Sequence, residues 1–256
     1  MKIRVLIIIL GGFLLFSAKT YAQNPMTAKS ILAKTDQNSS AIKDKTAHVE
    51  MVMIKLKKNK QKVKKAILFQ KGTDRTLFRY VYPRADSGIA FLRLPNHQIY
   101  IYLSLFKKAK RITNLANSAY NNSDFSFQDM GSSSFLAKYF PSLIKTNDTA
   151  YILKLIPKTK NDTYQYVIAT INKTFYYPEE LKYFNQKGEK IKQENFHFIK
   201  VKGIWVPREV DMINFDKKHM TKVIMSDIKV NTGLKDEIFT VRNLENKSLN
   251  NDLVKK

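Results

Sequence analysis

The 256-residue chain contains no cysteine. Disulfide staples and thiolate chemistry are therefore excluded. A lipoprotein carries its acyl chains on a cysteine at the cleavage point, so no lipid anchor is expected. Histidine is sparse: His48, His97, His197 and His219 stand apart, without an HExxH pair or a second ligand at i,i+4. No metal site is expected from such spacing. The chain has only eight glycines. Gly72 and Gly88 are single turn glycines, and no dinucleotide fingerprint or phosphate loop is formed. Gly131-Ser132-Ser133-Ser134 does not fit the Gly-x-Ser-x-Gly nucleophile elbow. Acidic residues number 21 against 45 basic ones, and most lie in turns, which leaves little for paired-carboxylate chemistry. These absences point away from an enzyme and away from a cofactor.

What is abundant is positive charge, with a formal net charge of +24. On a cytosolic chain this would suggest nucleic acid. The N-terminus argues otherwise. Lys2 and Arg4 precede the apolar run Val5 to Phe16, and Thr20-Tyr21-Ala22 resembles a small-x-small cleavage site. The run is shorter than the about 20 residues that span a bilayer. The expected organisation is a signal peptide at 1–22, one domain at 23–245 and a flexible polar tail at 246–256. Export of a soluble chain to the periplasm excludes nucleic acid. Anionic lipid head groups, an acidic partner surface or plain solubility remain as roles for the charge.

Pro25 to Ile42 reads as a helix capped by Thr27, with Ile31, Leu32 and Ala33 as its apolar stripe. From His48 the period becomes two, with Val49, Met51 and Met53 on one side. Strands are predicted at 63–70, 76–82, 89–94, 98–103 and 109–112, with breaks at Pro83, Pro95-Asn96 and Lys107-Lys108. The segment 113–148 interrupts them. It is polar yet carries Tyr120, Phe125, Phe127, Phe135, Tyr139 and Phe140, as a lid over an apolar cavity would. Ser132 to Ser134 can cap a short helix Phe135 to Phe140, ended by Pro141. Strands resume at 150–157, 165–172, 180–185, 191–199, 205–214 and 219–230. Strands at such spacing without intervening helices predict an antiparallel meander, closed or nearly so.

Several segments together resemble the outer-membrane lipoprotein-sorting protein family, the LolA-like proteins. They are Arg79-Tyr-Val-Tyr-Pro-Arg-Ala-Asp-Ser-Gly-Ile-Ala-Phe-Leu92, Ile99-Tyr-Ile-Tyr-Leu103 with Lys107-Lys-Ala-Lys-Arg-Ile112, and Ser123-Asp-Phe-Ser-Phe-Gln-Asp129. Tyr177-Pro178, Tyr183-Phe-Asn-Gln-Lys-Gly188, Gly203-Ile-Trp-Val-Pro-Arg208 and Met225-Ser-Asp-Ile-Lys-Val230 complete the match, over about residues 45 to 245. Ser104 stands where the family has proline. The resemblance implies a mainly β (α+β) fold: a half-open, strongly curved antiparallel β-barrel with a helical lid or plug. It implies a periplasmic carrier that binds acyl chains of lipoproteins or other lipids and moves them toward the outer membrane. A lipid-sensing regulator that signals to a membrane partner is the alternative. The implied partners are an inner-membrane export complex and an outer-membrane acceptor, met by a monomer in transient membrane contact.

Strand alternation puts Phe78, Tyr80 and Tyr82 on one face, and Tyr100 and Tyr102 on one face. Phe78, Tyr80, Phe91, Tyr100, Tyr102, Phe125, Phe127 and Trp205 are the expected lipid-binding residues. The opposite parity, Leu77 and Val81 with Ile99 and Ile101, is a rival for the inner wall. Arg79, Arg93 and Arg111, with Phe135, Tyr139 and Phe140, are expected to gate the lid. The basic hairpin residues Lys57, Lys58, Lys60, Lys62 and Lys64 are expected to dock on a membrane or partner, although a charged hairpin also protects a sheet edge.

Overall fold

The computed structural model describes residues 26–96, 98–113, 123–126, 129, 134–159 and 163–245. The expected signal peptide and tail, and His97, Tyr120 and Phe127, lie outside the described residues. Among the described residues, thirteen strands, β9 being Tyr166–Asn172, form one sheet in the order β6-β5-β4-β3-β2-β1-β13-β12-β11-β10-β9-β8-β7. Each neighbouring pair is antiparallel. The chain therefore runs as two meanders joined where β1 (Asp44–Lys55) meets β13 (His219–Val230). The edges are β6 (Lys108–Ile112) and β7 (Tyr139–Thr146), which do not pair, so the curled sheet stays open.

Strand β7 departs from the sequence reading, which placed a helix over 135–140. Only Phe135–Lys138 is helical (α2), and Tyr139 begins the strand. Pro141 reads as a helix stop, yet an edge strand tolerates it because one side of its backbone needs no ladder partner. The N-terminal helix α1 (Ala28–Ser40) forms as expected, with the Thr27 hydroxyl accepting from the Ser30 amide at 3.1 Å.

The concave face carries the main core. Val49 and Met51 of β1, Phe78 and Tyr80 of β3 (Arg75–Tyr82), and Leu153 and Leu155 of β8 (Ala150–Pro157) are buried there with Ile31 and Leu32 of α1. A second core lies on the opposite face. Ile67, Phe69, Leu77, Leu92 and Tyr102 pack beneath Ile238, Phe239 and Leu244 of a C-terminal clasp. The clasp comprises a 3-10 turn, Asp236–Phe239, and helix α3 (Val241–Glu245).

Register decides the faces. Phe78 lies opposite Phe91 of β4 (Ala90–Leu94), and Phe91 opposite Ile101 of β5 (Gln98–Leu103). Cross-strand partners share a face, so Ile99 and Ile101 join Phe78 on the concave side. Tyr100 and Tyr102 point to the clasp. Their expected place in a lipid cavity is corrected, and on β5 the rival parity is the inner one.

Candidate functional site

A cavity of about 510 Å³ opens on the concave face. Its walls come from the end of α1, from α2, from the start of β1 and end of β2 (Lys60–Lys71), and from the second meander. The apolar wall is aromatic. On β11 (Lys190–Val201), Glu194, Phe196 and Phe198 alternate toward the cavity, as do Leu181 and Tyr183 on β10 (Pro178–Phe184). Leu181 opposite Glu194 fixes the shared face. Tyr177 stacks on Phe198 at 5.1 Å between centroids, and Phe196 on Phe198 at 6.1 Å. Pro207 of β12 (Ile204–Asn214) closes this side opposite Phe198, beside a register shift at His197/Phe198. An irregularity of that kind is where a central strand accommodates proline.

One end of the cavity is polar. The Tyr183 hydroxyl donates to Glu194 Oε2 at 2.6 Å. Tyr164, with its ring 4.6 Å from that of Tyr183, donates to Asp129 Oδ1 at 2.9 Å. Lys192 Nζ lies 3.0 Å from the other Asp129 oxygen. Burial pushes the Glu194 carboxyl up to about 8, with Asp129 adding to the rise; the Tyr183 bond and the Lys192 and Lys138 charges oppose it. Burial likewise raises the Tyr183 and Tyr164 hydroxyls well above the usual range.

Asp36 of α1 joins the two helices at the mouth. It accepts from the Ser134 hydroxyl, from the Phe135 amide at 2.7 Å and from the Leu136 amide at 3.1 Å. These are orphan donors of the first turn of α2. Asp36→Ala is expected to release α2 at a cost of about 2 kcal/mol. Hydrogen exchange should then speed by about thirtyfold at 135–138 and stay unchanged at 167–171. Unaltered exchange at 135–138 would show that the carboxylate does not hold α2.

The structure distributes the expected site residues unevenly. Phe135 and Tyr139 line the cavity. Phe78, Tyr80 and Phe91 are buried in the concave core but are not among its lining residues, and Phe125 is buried with them. Trp205 stands one ring behind the wall, 4.8 Å from Phe175, which is 5.6 Å from Phe198. Phe140 is exposed beneath Lys158 rather than turned to the cavity.

The arginines do not converge on a lid. Arg79 faces the clasp and donates to the Leu244 carbonyl at 2.9 Å. Arg93 donates to the Thr73 carbonyl at 3.0 Å and to the Thr76 hydroxyl. Arg111 is exposed on edge strand β6. Side-chain direction follows the register, so their joint gating role is corrected.

Lys57, Lys58, Lys60 and Lys62 are exposed on the β1–β2 hairpin. Lys64 is not: it is half-buried and ion-paired with Asp86 at 2.9 Å, which removes it from a docking surface. Lys57 and Lys58 instead share a cleft of about 420 Å³ with Lys55, Lys217, Lys218 and His219. Asp124 is pinned at its base, 2.5 Å from His219 Nδ1 and accepting from the Thr221 hydroxyl at 2.7 Å.

Sequence reading missed Lys45, Tyr177, Tyr183, Glu194, Phe196 and Phe198 as wall residues. Their alternation was legible, but nothing in it marked this half of the sheet. It also missed His197, Glu209 and Asp211, whose ligand atoms lie within 4.8 Å of one another across β11 and β12. Lys222 already bonds Glu209 and lies 3.4 Å from Asp211, so an ammonium is the cation of that cluster.

A family model described as "Uncharacterized protein" matches residues 72–246. No curated protein is recognisably related in sequence. The fold is shared with solved structures, among them the following three. A domain assigned as an outer membrane lipoprotein-sorting protein, from Vibrio parahaemolyticus, is 22% identical with a TM-score of 0.76; the match covers 86% of this chain and 100% of that one. A DUF1329 family protein from Desulfovibrio piger is 18% identical with a TM-score of 0.77, covering 85% and 99%. A LolA superfamily protein from Nitrosomonas europaea is 20% identical with a TM-score of 0.68, covering 84% and 98%.

Proposed function

We propose, since the chain belongs to the uncharacterized-protein family of that model and has the LolA-like fold, that it carries lipid or lipoprotein acyl chains through the periplasm toward the outer membrane. The observation that carries this reading is the aromatic cavity on the concave face of an open sheet. Its volume falls within the range of small-molecule sites. An acyl chain of about 16 carbons costs on the order of 12 kcal/mol to expose to water, at about 0.8 kcal/mol per methylene. A wall of stacked rings keeps its shape when empty and offers the chain an apolar surface in place of water.

The remaining parts of the reading follow from this. A signal peptide at 1–22 would deliver the chain, as a monomer, to the compartment where such carriage is needed. No helix among the described residues is long and apolar enough to cross a membrane. The lysines of the β1–β2 hairpin would meet anionic head groups transiently. Helix α2, held by Asp36, would act as the lid. No catalytic step and no cofactor enter the scheme.

An apolar fluorescent probe is expected to bind and to be displaced by long-chain acyl lipids. Phe198→Asp should weaken the probe by about tenfold or more, because a carboxylate is buried only at high cost, while β-type circular dichroism persists. Labelled lipid should then move between two vesicle populations faster in the presence of the protein. A wild-type protein that binds no probe, or binds without speeding transfer, would end the carrier reading.

A further inference from the structure

Lys45 is the unexplained residue of the cavity. It sits on β1 with the parity of Ala47, Val49 and Met51, so it points to the concave side. Its strand partner Gln70 lines the same cavity. Lys45 is only 6% exposed, yet its ammonium has no ion pair or hydrogen bond among the described residues. A buried ammonium is almost always paired. The carboxylates of the wall are engaged elsewhere: Asp36 with α2, Asp129 with Tyr164 and Lys192, and Glu194 with Tyr183. Asp44, next in sequence, is taken up by the amides of 232–234.

Desolvation alone pulls the Lys45 ammonium down to about 8. It is therefore still largely charged at neutral pH, in an aromatic cavity, with no counter-ion among the described residues.

Resting on the acyl-binding reading, we infer that the cavity takes an amphiphile with an anionic head, whose carboxylate or phosphate pairs with Lys45 while its chain lies along Phe196, Phe198 and Leu181. The missing counter-ion then arrives with the ligand. A charge-assisted bond is stronger in an apolar-walled cavity than in water, and it would select acidic lipids over neutral ones of the same length. Free fatty acids and phosphate-bearing lipids share this chemistry.

Three ligands with one chain length separate the cases: hexadecanoate, hexadecyl phosphate and hexadecanol. Displacement of a bound apolar probe at pH 7 gives their affinities for wild type, Lys45→Met and Lys45→Gln. Wild type is expected to prefer at least one anion over the alcohol by about ten- to a hundredfold, the worth of a hydrogen bond to a charged group. In both variants the ratio of anion to hexadecanol affinity should fall to about one. The anion that shows the Lys45-dependent gain identifies the source, a fatty acid or a phosphate lipid. Thermal melts confirm that the variants fold, and Gln serves should Met perturb packing.

A wild type that binds the alcohol as tightly as both anions would overturn the inference and leave acyl binding standing. So would an anion preference that survives in both variants. Binding of none of the three would overturn both readings together.

Discussion

Replacing Glu194 with glutamine is expected to stabilise the protein by about 4 kcal/mol at pH 8 and to change little at pH 4. The carboxyl is buried, and desolvation is the main reason it titrates near 8 instead of near 4.5. The folded state therefore holds a proton that the unfolded state releases between those values. The stability this lends is fully present below about 4.5 and is lost as pH rises through about 8. Glutamine keeps an acceptor for the Tyr183 hydroxyl and has no charge to desolvate.

Lys45 acts in the opposite sense at higher pH. Its folded value of about 8 lies below the ordinary 10.5. Its contribution is present above 10.5 and is lost as pH falls toward 8. Wild-type stability should thus pass through a minimum near pH 8. Urea midpoints at pH 4, 6, 8 and 10 measure both limbs. In Glu194→Gln the descending limb should flatten and the ascending limb remain. An unchanged descent in the variant would place its cause in another group.

Asp44→Ala is expected to destabilise the protein by about 3–5 kcal/mol, since a buried carboxylate with several donors is lost and those donors are left unpaired. Asp44 accepts from the Thr232 amide at 2.7 Å, the Thr232 hydroxyl at 2.9 Å, the Gly233 amide at 2.8 Å and the Leu234 amide at 3.3 Å. Burial raises its carboxyl, but these bonds outweigh burial and hold it below the usual value. Its contribution is therefore present above the ordinary 3.8 and is lost as pH falls below that.

The consequence reaches beyond one turn. Residues 232–234 lead into the clasp that covers Leu77, Leu92 and Tyr102. Its other ties are the Lys71 and Arg75 pairs with Asp236, the Arg79 bond to Leu244, and the Ala109 amide bond to Glu245. Loosening it should expose the outer core. Asp44→Ala should show a lower urea midpoint, stronger binding of an apolar dye and faster proteolysis within 232–245. Asn, which keeps one acceptor oxygen, should fall between. A variant whose clasp resists protease like wild type would remove Asp44 as its anchor.

The strand segments were legible because a half-buried strand must alternate. The helix at α1, the long strands of the second meander and the hairpin around Lys57 and Lys58 were read close to their observed limits. Two elements were not. Strand β7 hid behind Pro141, and the clasp behind the polar run that follows Val230, because neither carries a clean period of its own. Their places depend on partners far away in the chain: β8 for the first, and β3 to β5 for the second.

The same physics limits the site. Period two separates the faces of a strand but does not say which one is concave. Where both faces are apolar the pattern loses its meaning, and the clasp makes β3 to β5 apolar on both. Tyr100 and Tyr102 were therefore assigned to the cavity when they belong to the outer core. Lys45 and Glu194 were passed over for a related reason, because a charged residue in a strand reads as solvent-facing.

Residues alone were enough for the six strands of the first meander and for the basic hairpin, since each rests on local spacing. Only the curl of the sheet could choose the second meander as the aromatic wall, put Asp36 beneath α2, and bury Lys45 and Glu194 in one cavity. Those juxtapositions join residues up to about 150 positions apart, and no local period encodes them.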